Sequence, residues 1–123
     1  MSSPLTFLDL DVWQRAMDLM VDCYAFTRRL PREERFGVSS QLQRASLSVP
    51  SNIADGNGRR TVGEYLNHLS NAQGSLNEVQ TLLIATTRIG YAQHDGLRRH
   101  MSGVHLVGRM LNGLRTSLEL KQR

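Results

Sequence analysis

Apolar residues recur along this chain at alternating steps of four and three, the spacing that lays one stripe along an α-helix. Val12, Ala16, Leu19, Cys23, Phe26 and Leu30 trace the first stripe. They predict a helix that opens at position 9 or 11 and runs to about 30, where Pro31 stops it, with Asp9 and Asp11 suited to its positive N-terminus. A second stripe, Trp13, Met17, Met20 and Tyr24, runs beside the first, so this helix should touch more than one neighbour. A second helix should open after Pro31, within 32–37, and turn Leu42, Ala45 or Ser46, Val49 and Ile53 inward. Pro50 lies inside it. A proline there has no N–H to donate and presses on the carbonyl of Ser46, which predicts a bend near Pro50 or a full break, and a finish at Gly56 or Gly58.

Thr61 followed by Glu64 has the spacing of a capping box and marks the start of a third helix, which Gly90 should end with Arg88 in its last turn. Its seam is Tyr65, Leu69, Ala72, Leu76, Val79, Leu83 and Thr86, implying a rod of about 43 Å at 1.5 Å per residue. Leu97, Met101, Val104, Leu111, Leu114 and Leu118 carry a fourth helix from about 95 to 120. Four long helices with short connections predict an all-α fold, an antiparallel up-down-up-down four-helix bundle, filling 1–123 as a single domain with 1–8 as a lead-in. No window approaches the roughly 20 apolar residues that span a bilayer, and 1–7 has neither a basic patch nor a long apolar run, so neither export nor membrane insertion is expected.

Polar positions sharpen the picture in the third helix. Between Thr61 and Thr87 only Glu64 and Glu78 are charged, and the rest of the predicted outer face is Asn67, His68, Ser70, Asn71, Gln73, Gly74, Ser75, Asn77, Gln80 and Thr81. Small, uncharged polar residues let another protein surface approach closely. Asn67, Asn71, Gly74 and Gln80 are therefore expected at a contact between copies of the chain; the competing reading is an uncharged but solvated face.

The net charge is +4, and of fifteen basic residues fourteen are arginine, Lys121 being the lysine. Arginine presents a planar fork that suits phosphate or carboxylate, which points to nucleic acid or an acidic protein, although base composition of the coding sequence also enriches arginine. Cys23 is the single cysteine; no internal disulfide can form, and the pattern fits a reducing compartment, hence a cytoplasmic location.

Several segments together resemble the four-helix-bundle proteins related to the 23S rRNA intervening-sequence protein. They are Val12-Trp13-Gln14-Arg15-Ala16-Met17, Leu30-Pro31-Arg32-Glu33-Glu34-Arg35-Phe36-Gly37, Ser40-Gln41-Leu42-Gln43-Arg44-Ala45, the run from Pro50 to Arg60, and Gly74-Ser75-Leu76-Asn77-Glu78. Asp55 stands where the family usually has glutamate, and Asn57 where a bulky or aromatic residue is more common. The resemblance implies a bundle that assembles as a homopentamer, in a family similar also to the accessory variability determinant of diversity-generating retroelements, whose members bind nucleic acid and a reverse transcriptase. It implies no catalytic activity and no cofactor.

Antiparallel connectivity would bring the first and third connections to one end. That end collects Arg28, Arg29, Arg32 and Arg35 with Arg88, Arg98 and Arg99, against Glu33, Glu34 and Asp95. Repeated around a ring it becomes a basic rim that holds phosphates by counterion release, with Arg28, Arg29, Arg32, Arg35, Arg98 and Arg99 as the contacts to RNA or DNA. Solvated helix ends paired with nearby acids are the bland alternative. At the opposite end Pro50, Asn52, Asp55, Gly56, Arg59 and Arg60 form a structural motif: Asn52 and Asp55 bond backbone groups freed by the bend while the arginines pair across subunits, or Arg59 and Arg60 beside the glycines cradle a phosphate.

An enzymatic alternative rests on Arg99 to His105, whose loose arginine-to-histidine spacing resembles that of HEPN ribonucleases; with fourteen arginines and four histidines, one such match is expected by chance. No histidine pair stands at the i, i+4 spacing of a helical metal site, and Cys23 has no cysteine partner, so no metal ligand is assigned. No nucleophile motif marks Ser39, Ser40, Ser46 or Ser48, and Gly56-Asn57-Gly58 follows no strand, so it is no dinucleotide fingerprint. The reading is a non-enzymatic homopentamer that engages RNA, DNA or a nucleic-acid-processing protein; the alternative is a scaffold that captures a protein partner without nucleic-acid binding.

Overall fold

The computed structural model describes residues 6–122. Four helices, α1 (Asp11–Thr27), α2 (Val38–Asn57), α3 (Val62–Ile89) and α4 (His94–Lys121), account for most of them, and no strand occurs among the described residues. Each helix packs on the next and α4 closes on α1, with no diagonal packing among the described residues. Cross-contacts fix the directions. Ser48 meets Ser75 while Gly56 faces His68; a Cβ on Gly108 would touch Leu76 and one on Gly63 would reach Gln122; Leu19 approaches Gly103 while Phe26 meets His100. Partners descend one helix as they ascend its neighbour, so these pairs are antiparallel.

The stripes expected from the sequence form the core. Val12, Ala16, Leu19, Cys23, Phe26 and Leu30 of the first stripe are all buried, as are Leu42, Ala45, Ser46, Val49 and Ile53, and the α3 seam from Leu69 to Thr86. Truncating one of these leucines to alanine leaves a cavity costing about 2–5 kcal/mol. The second α1 stripe, Trp13, Met17, Met20 and Tyr24, is only half-buried.

Local chemistry sets the ends. Phe7–Asp9 forms a 3-10 turn, braced by Gln14 Nε2 donating to the Leu8 carbonyl at 3.1 Å and by the Phe7 ring meeting Trp13 edge-on at 5.2 Å. The lead-in expected over 1–8 is thus folded back on α1 from Thr6 onward, its first five positions lying outside the described residues.

Helix α1 stops at Thr27, short of Leu30. The Thr27 hydroxyl donates to the Tyr24 carbonyl at 2.7 Å, and the chain tightens so that the N–H groups of Arg29 and Leu30 reach the carbonyls of Phe26 and Thr27. Leu30 still reaches the core, through a turn. Helix α2 runs unbroken through the buried Pro50 and ends at Asn57 with Gly58 as its cap. Asn52 Nδ2 reaches back to the Ser48 carbonyl at 2.9 Å, adding a side-chain bond two residues beyond the N–H that proline lacks.

Helix α3 begins where the sequence placed it, Thr61 Oγ1 accepting from the Glu64 N–H at 3.1 Å. It ends at Gly90, φ +100°, where the Gly90 N–H reaches the Thr87 carbonyl and the Tyr91 N–H the Thr86 carbonyl. Those two bonds make a Schellman motif, and its left-handed residue favours glycine.

Candidate nucleic-acid interface

The first and third connections do share one end, and a hydrogen bond ties them together. Tyr91 donates its hydroxyl to Glu34 Oε2 at 2.9 Å, while Glu34 Oε1 accepts from the Val38 N–H at 3.4 Å. One carboxylate thus spans the 28–37 connection, the first turn of α2 and the segment after α3. That hydrogen bond is the main cause of a raised Tyr91 pKa; burial and then the charges of Glu34 and Glu33 add to it.

Between the ends of α1 and α2 lies an open cleft of about 540 Å³, lined by Arg28, Arg32, Arg35, Phe36, Ser39, Ser40 and Gln43 among others. Gln43 Nε2 donates to Thr27 Oγ1 at 3.0 Å across the two helices and forms part of its wall. Arg28, Arg32 and Arg35 are exposed, and among the described residues none has a carboxylate within 4 Å. Glu34, the nearest acid in sequence to this trio besides Glu33, is turned away and engaged by Tyr91. Guanidinium groups without carboxylate partners, beside hydroxyls and an amide, suit phosphate oxygens.

The other expected contacts separate from this trio. Arg29 lines a second cleft of about 320 Å³ on the far side of the connection, with Phe26, Tyr91, Asp95 and His100. Arg98 is held by Asp95 at 2.7 Å, both groups largely exposed. Arg99 is exposed and free of carboxylate partners among the described residues. Six arginines do share an end of the bundle, but only three of them face one cleft.

At the opposite end, Asp55 accepts from Arg59 through both oxygens at 3.1 Å, within one helical turn. His68 Nδ1 lies 3.5 Å from Asp55 Oδ2 and 3.4 Å from Asn52 Oδ1, and Asn52 continues the chain to Ser48, whose hydroxyl accepts from Ser75 at 2.9 Å. This polar ladder runs down the α2–α3 seam. Gly56 belongs to the same seam: it is buried, and a Cβ there would lie 2.8 Å from His68 Cβ. It serves helix packing, and the backbone of a phosphate cradle is not what it offers. Arg60 is exposed.

The uncharged residues of α3 divide three ways. Asn67, Asn71 and Gly74 face outward and are exposed. Gln80, with Gln73 and Asn77, lines a groove against α4 that also holds His105 and Arg109, while His68 and Ser75 sit in the α2 seam. A helix with two packed neighbours uses polar residues to satisfy one another along its seams, and composition alone does not separate those from an outer face.

His100 Nδ1 donates to the Gly96 carbonyl at 2.8 Å and its ring lies against Phe26. His105 shares its groove with Arg109 and not with Arg99. Cys23 is buried, and burial, with the neighbouring Asp22 charge, pushes its thiol up to about 12. Among the described residues no three of His, Cys, Asp and Glu gather as metal ligands, and no helix is long and apolar enough to cross a membrane.

Glu34, Tyr91, Phe36, Gln43, Ser39 and Ser40 were not singled out as site residues from the sequence. An aromatic side chain between Arg35 and Gly37, off any helical stripe, was the one local sign available.

Among solved structures, the fold is similar to that of a protein of unknown function from the S23 ribosomal protein family of Bacteroides thetaiotaomicron. The two superpose with a TM-score of 0.79 at 19% identity, over 85% of this chain and 97% of the other. No curated protein matches the chain. Its sequence matches the family described as 23S rRNA-intervening sequence protein over residues 8–113. With nearly all of the bundle inside that match, the chain belongs to the 23S rRNA-intervening sequence protein family.

Proposed function

We propose that the protein is a non-enzymatic, homopentameric bundle of the cytoplasm that binds RNA or DNA, or a nucleic-acid-processing protein such as a reverse transcriptase, through its arginine-bearing end. The observation that carries this reading is the cleft where Arg28, Arg32 and Arg35 converge with no carboxylate partner among the described residues. A cluster of guanidinium groups not neutralised by carboxylates binds phosphates by releasing their counterions, with strong salt dependence and little sequence preference. Arg29, Arg98 and Arg99 extend the positive field of the same end and contribute attraction at longer range. Five copies multiply weak contacts into useful avidity.

The test is a titration of labelled RNA and DNA at two salt concentrations. Three phosphates engaged by one subunit predict a slope of log K against log salt of about −2 on a single strand and nearly −3 on a duplex, steeper in proportion as further subunits engage the same strand. Arg28→Glu together with Arg32→Glu should weaken binding and flatten that slope while the helical content stays unchanged. Affinity insensitive to both salt and charge reversal would remove this surface.

A scaffold that captures a protein partner is a second reading, favoured by the exposed, uncharged Asn67, Asn71 and Gly74 on α3. It predicts partner capture by an assembly with no affinity for nucleic acid.

A further inference from the structure

Phe36 is 87% exposed, the most exposed of the large apolar side chains among the described residues. A frayed loop would explain such exposure, but the turn carrying Phe36 is braced on both sides. The Arg35 N–H reaches the Arg32 carbonyl at 3.0 Å, the Gly37 N–H reaches the Glu34 carbonyl at 2.9 Å, and the Glu34 side chain is fixed by Val38 and Tyr91. The chain therefore presents the ring to solvent from a held backbone.

The ring also has company of a particular kind. The Arg35 guanidinium carbon lies 5.3 Å from its centroid, a cation–π contact on one face, and the high exposure leaves the other face open. Phe36 lines the same cleft as Arg28 and Arg32, with the hydroxyls of Ser39 and Ser40 and the Gln43 amide nearby. A docking point for a folded protein also favours aromatic rings and arginine, but its centre is apolar and carries few charges. Here the surround is cationic and polar, which is the composition of a groove that tracks a nucleic-acid backbone while a base stacks on an aromatic ring.

We infer that Phe36 is a base-stacking platform and that the cleft takes single-stranded nucleic acid, one base lying on the open face of the ring while Arg28, Arg32 and Arg35 hold the flanking phosphates. This rests on the nucleic-acid reading above and adds strand state to it. Bases of a duplex are stacked on one another and offer no free face, whereas an unpaired base does. The cleft volume of about 540 Å³ lies inside the range of roughly 300–1,000 Å³ usual for small-ligand sites, adequate for a base with its sugar.

The experiment compares the full chain and its variants by fluorescence anisotropy against a labelled 20-nucleotide single strand and the duplex of the same sequence. The wild type should prefer the single strand. Phe36→Ala should weaken single-strand binding by about tenfold, within the span that loss of one stacked base produces, and leave duplex binding unchanged. Phe36→Trp should retain affinity, and the strand should quench its emission beyond any quenching seen in the wild type, which carries Trp13. Single-strand binding unaltered in Phe36→Ala but lost in Arg28→Glu/Arg32→Glu would overturn the stacking assignment and leave the phosphate site standing. No binding of either probe by the wild type would overturn both. A fall in the assembled mass of Phe36→Ala in sedimentation would place the ring at a contact between copies and overturn the stacking role alone.

Discussion

Two protons report on how the fold is held together. The Cys23 thiol, pushed up to about 12 by burial and then by Asp22, stays neutral in the fold, whereas the unfolded thiol ionises near 9.0. A group whose folded pKa is raised contributes stability that is complete below its unfolded pKa and is lost as pH rises through the folded one. Tyr91 follows the same sign from an unfolded value near 10.0, because its hydroxyl donates to Glu34 and the phenolate form would face that carboxylate. Urea midpoints should therefore fall from about pH 9 upward. Tyr91→Phe should flatten the part of the decline above about pH 10, and Cys23→Ala the part that begins about one unit lower. At pH 8 the native thiol should react with a thiol reagent about a thousandfold more slowly than the urea-unfolded chain, from its thiolate fraction alone. Native and unfolded rates that match would place Cys23 outside the core.

Helix pairs are held at distances set by their smallest residues, and α2 on α3 is the clearest instance. A Cβ at position 56 would meet His68 Cβ at 2.8 Å, Tyr65 Cδ1 at 3.0 Å and the Tyr65 carbonyl at 3.3 Å. Since two of those atoms are backbone or attached directly to it, relief requires α2 and α3 to separate. Gly56→Ala should cost about 1–3 kcal/mol by overpacking. Gly58→Ala, two residues on, meets only the Asp55 and Ala54 carbonyls at 3.7 and 4.0 Å, at a negative φ, and should be neutral or stabilising by up to about 1 kcal/mol. Thermal denaturation of the two variants tests the contrast; equal effects would mean the seam yields.

The same pair shows what the sequence could reveal. The stripes through Leu42, Val49, Ile53, Leu69 and Leu76 announce a buried face because helical period is a local property. Gly56 announces only a missing side chain, and whether that ends a helix or admits a neighbour depends on an element not yet placed. Likewise the uncharged polar side chains of α3 look alike until two neighbours claim His68, Ser75 and Gln80 for their seams. The brace between Glu34 and Tyr91 joins residues 57 positions apart and has no periodicity to betray it. Arginine at one end was legible from connectivity, whereas its division between two clefts was not, since that depends on where the 28–37 turn points each side chain.

At the scale of the whole molecule, the proposed assembly turns on the outward strip of α3. Gly74 and Gly113 make a matched pair. Each is exposed in the interior of a long helix, and a Cβ at either would meet no atom within 4 Å in the isolated subunit. For a free subunit, alanine at either position should stabilise its helix by about 0.8–1 kcal/mol. If copies of the chain meet on the face of Asn67, Asn71 and Gly74, position 74 acquires a neighbour across the contact, and an added methyl holds the two surfaces apart. Gly113→Ala should then raise the unfolding midpoint and leave the sedimenting mass unchanged, while Gly74→Ala should lower the mass at a given concentration despite its better helix former. Because a multivalent arginine platform exists only in the assembly, Gly74→Ala should also weaken binding to a long single strand more than to a short one. Identical behaviour of the two variants in mass and in binding would mean that this strip of α3 faces water and would remove it as the contact of the proposed assembly.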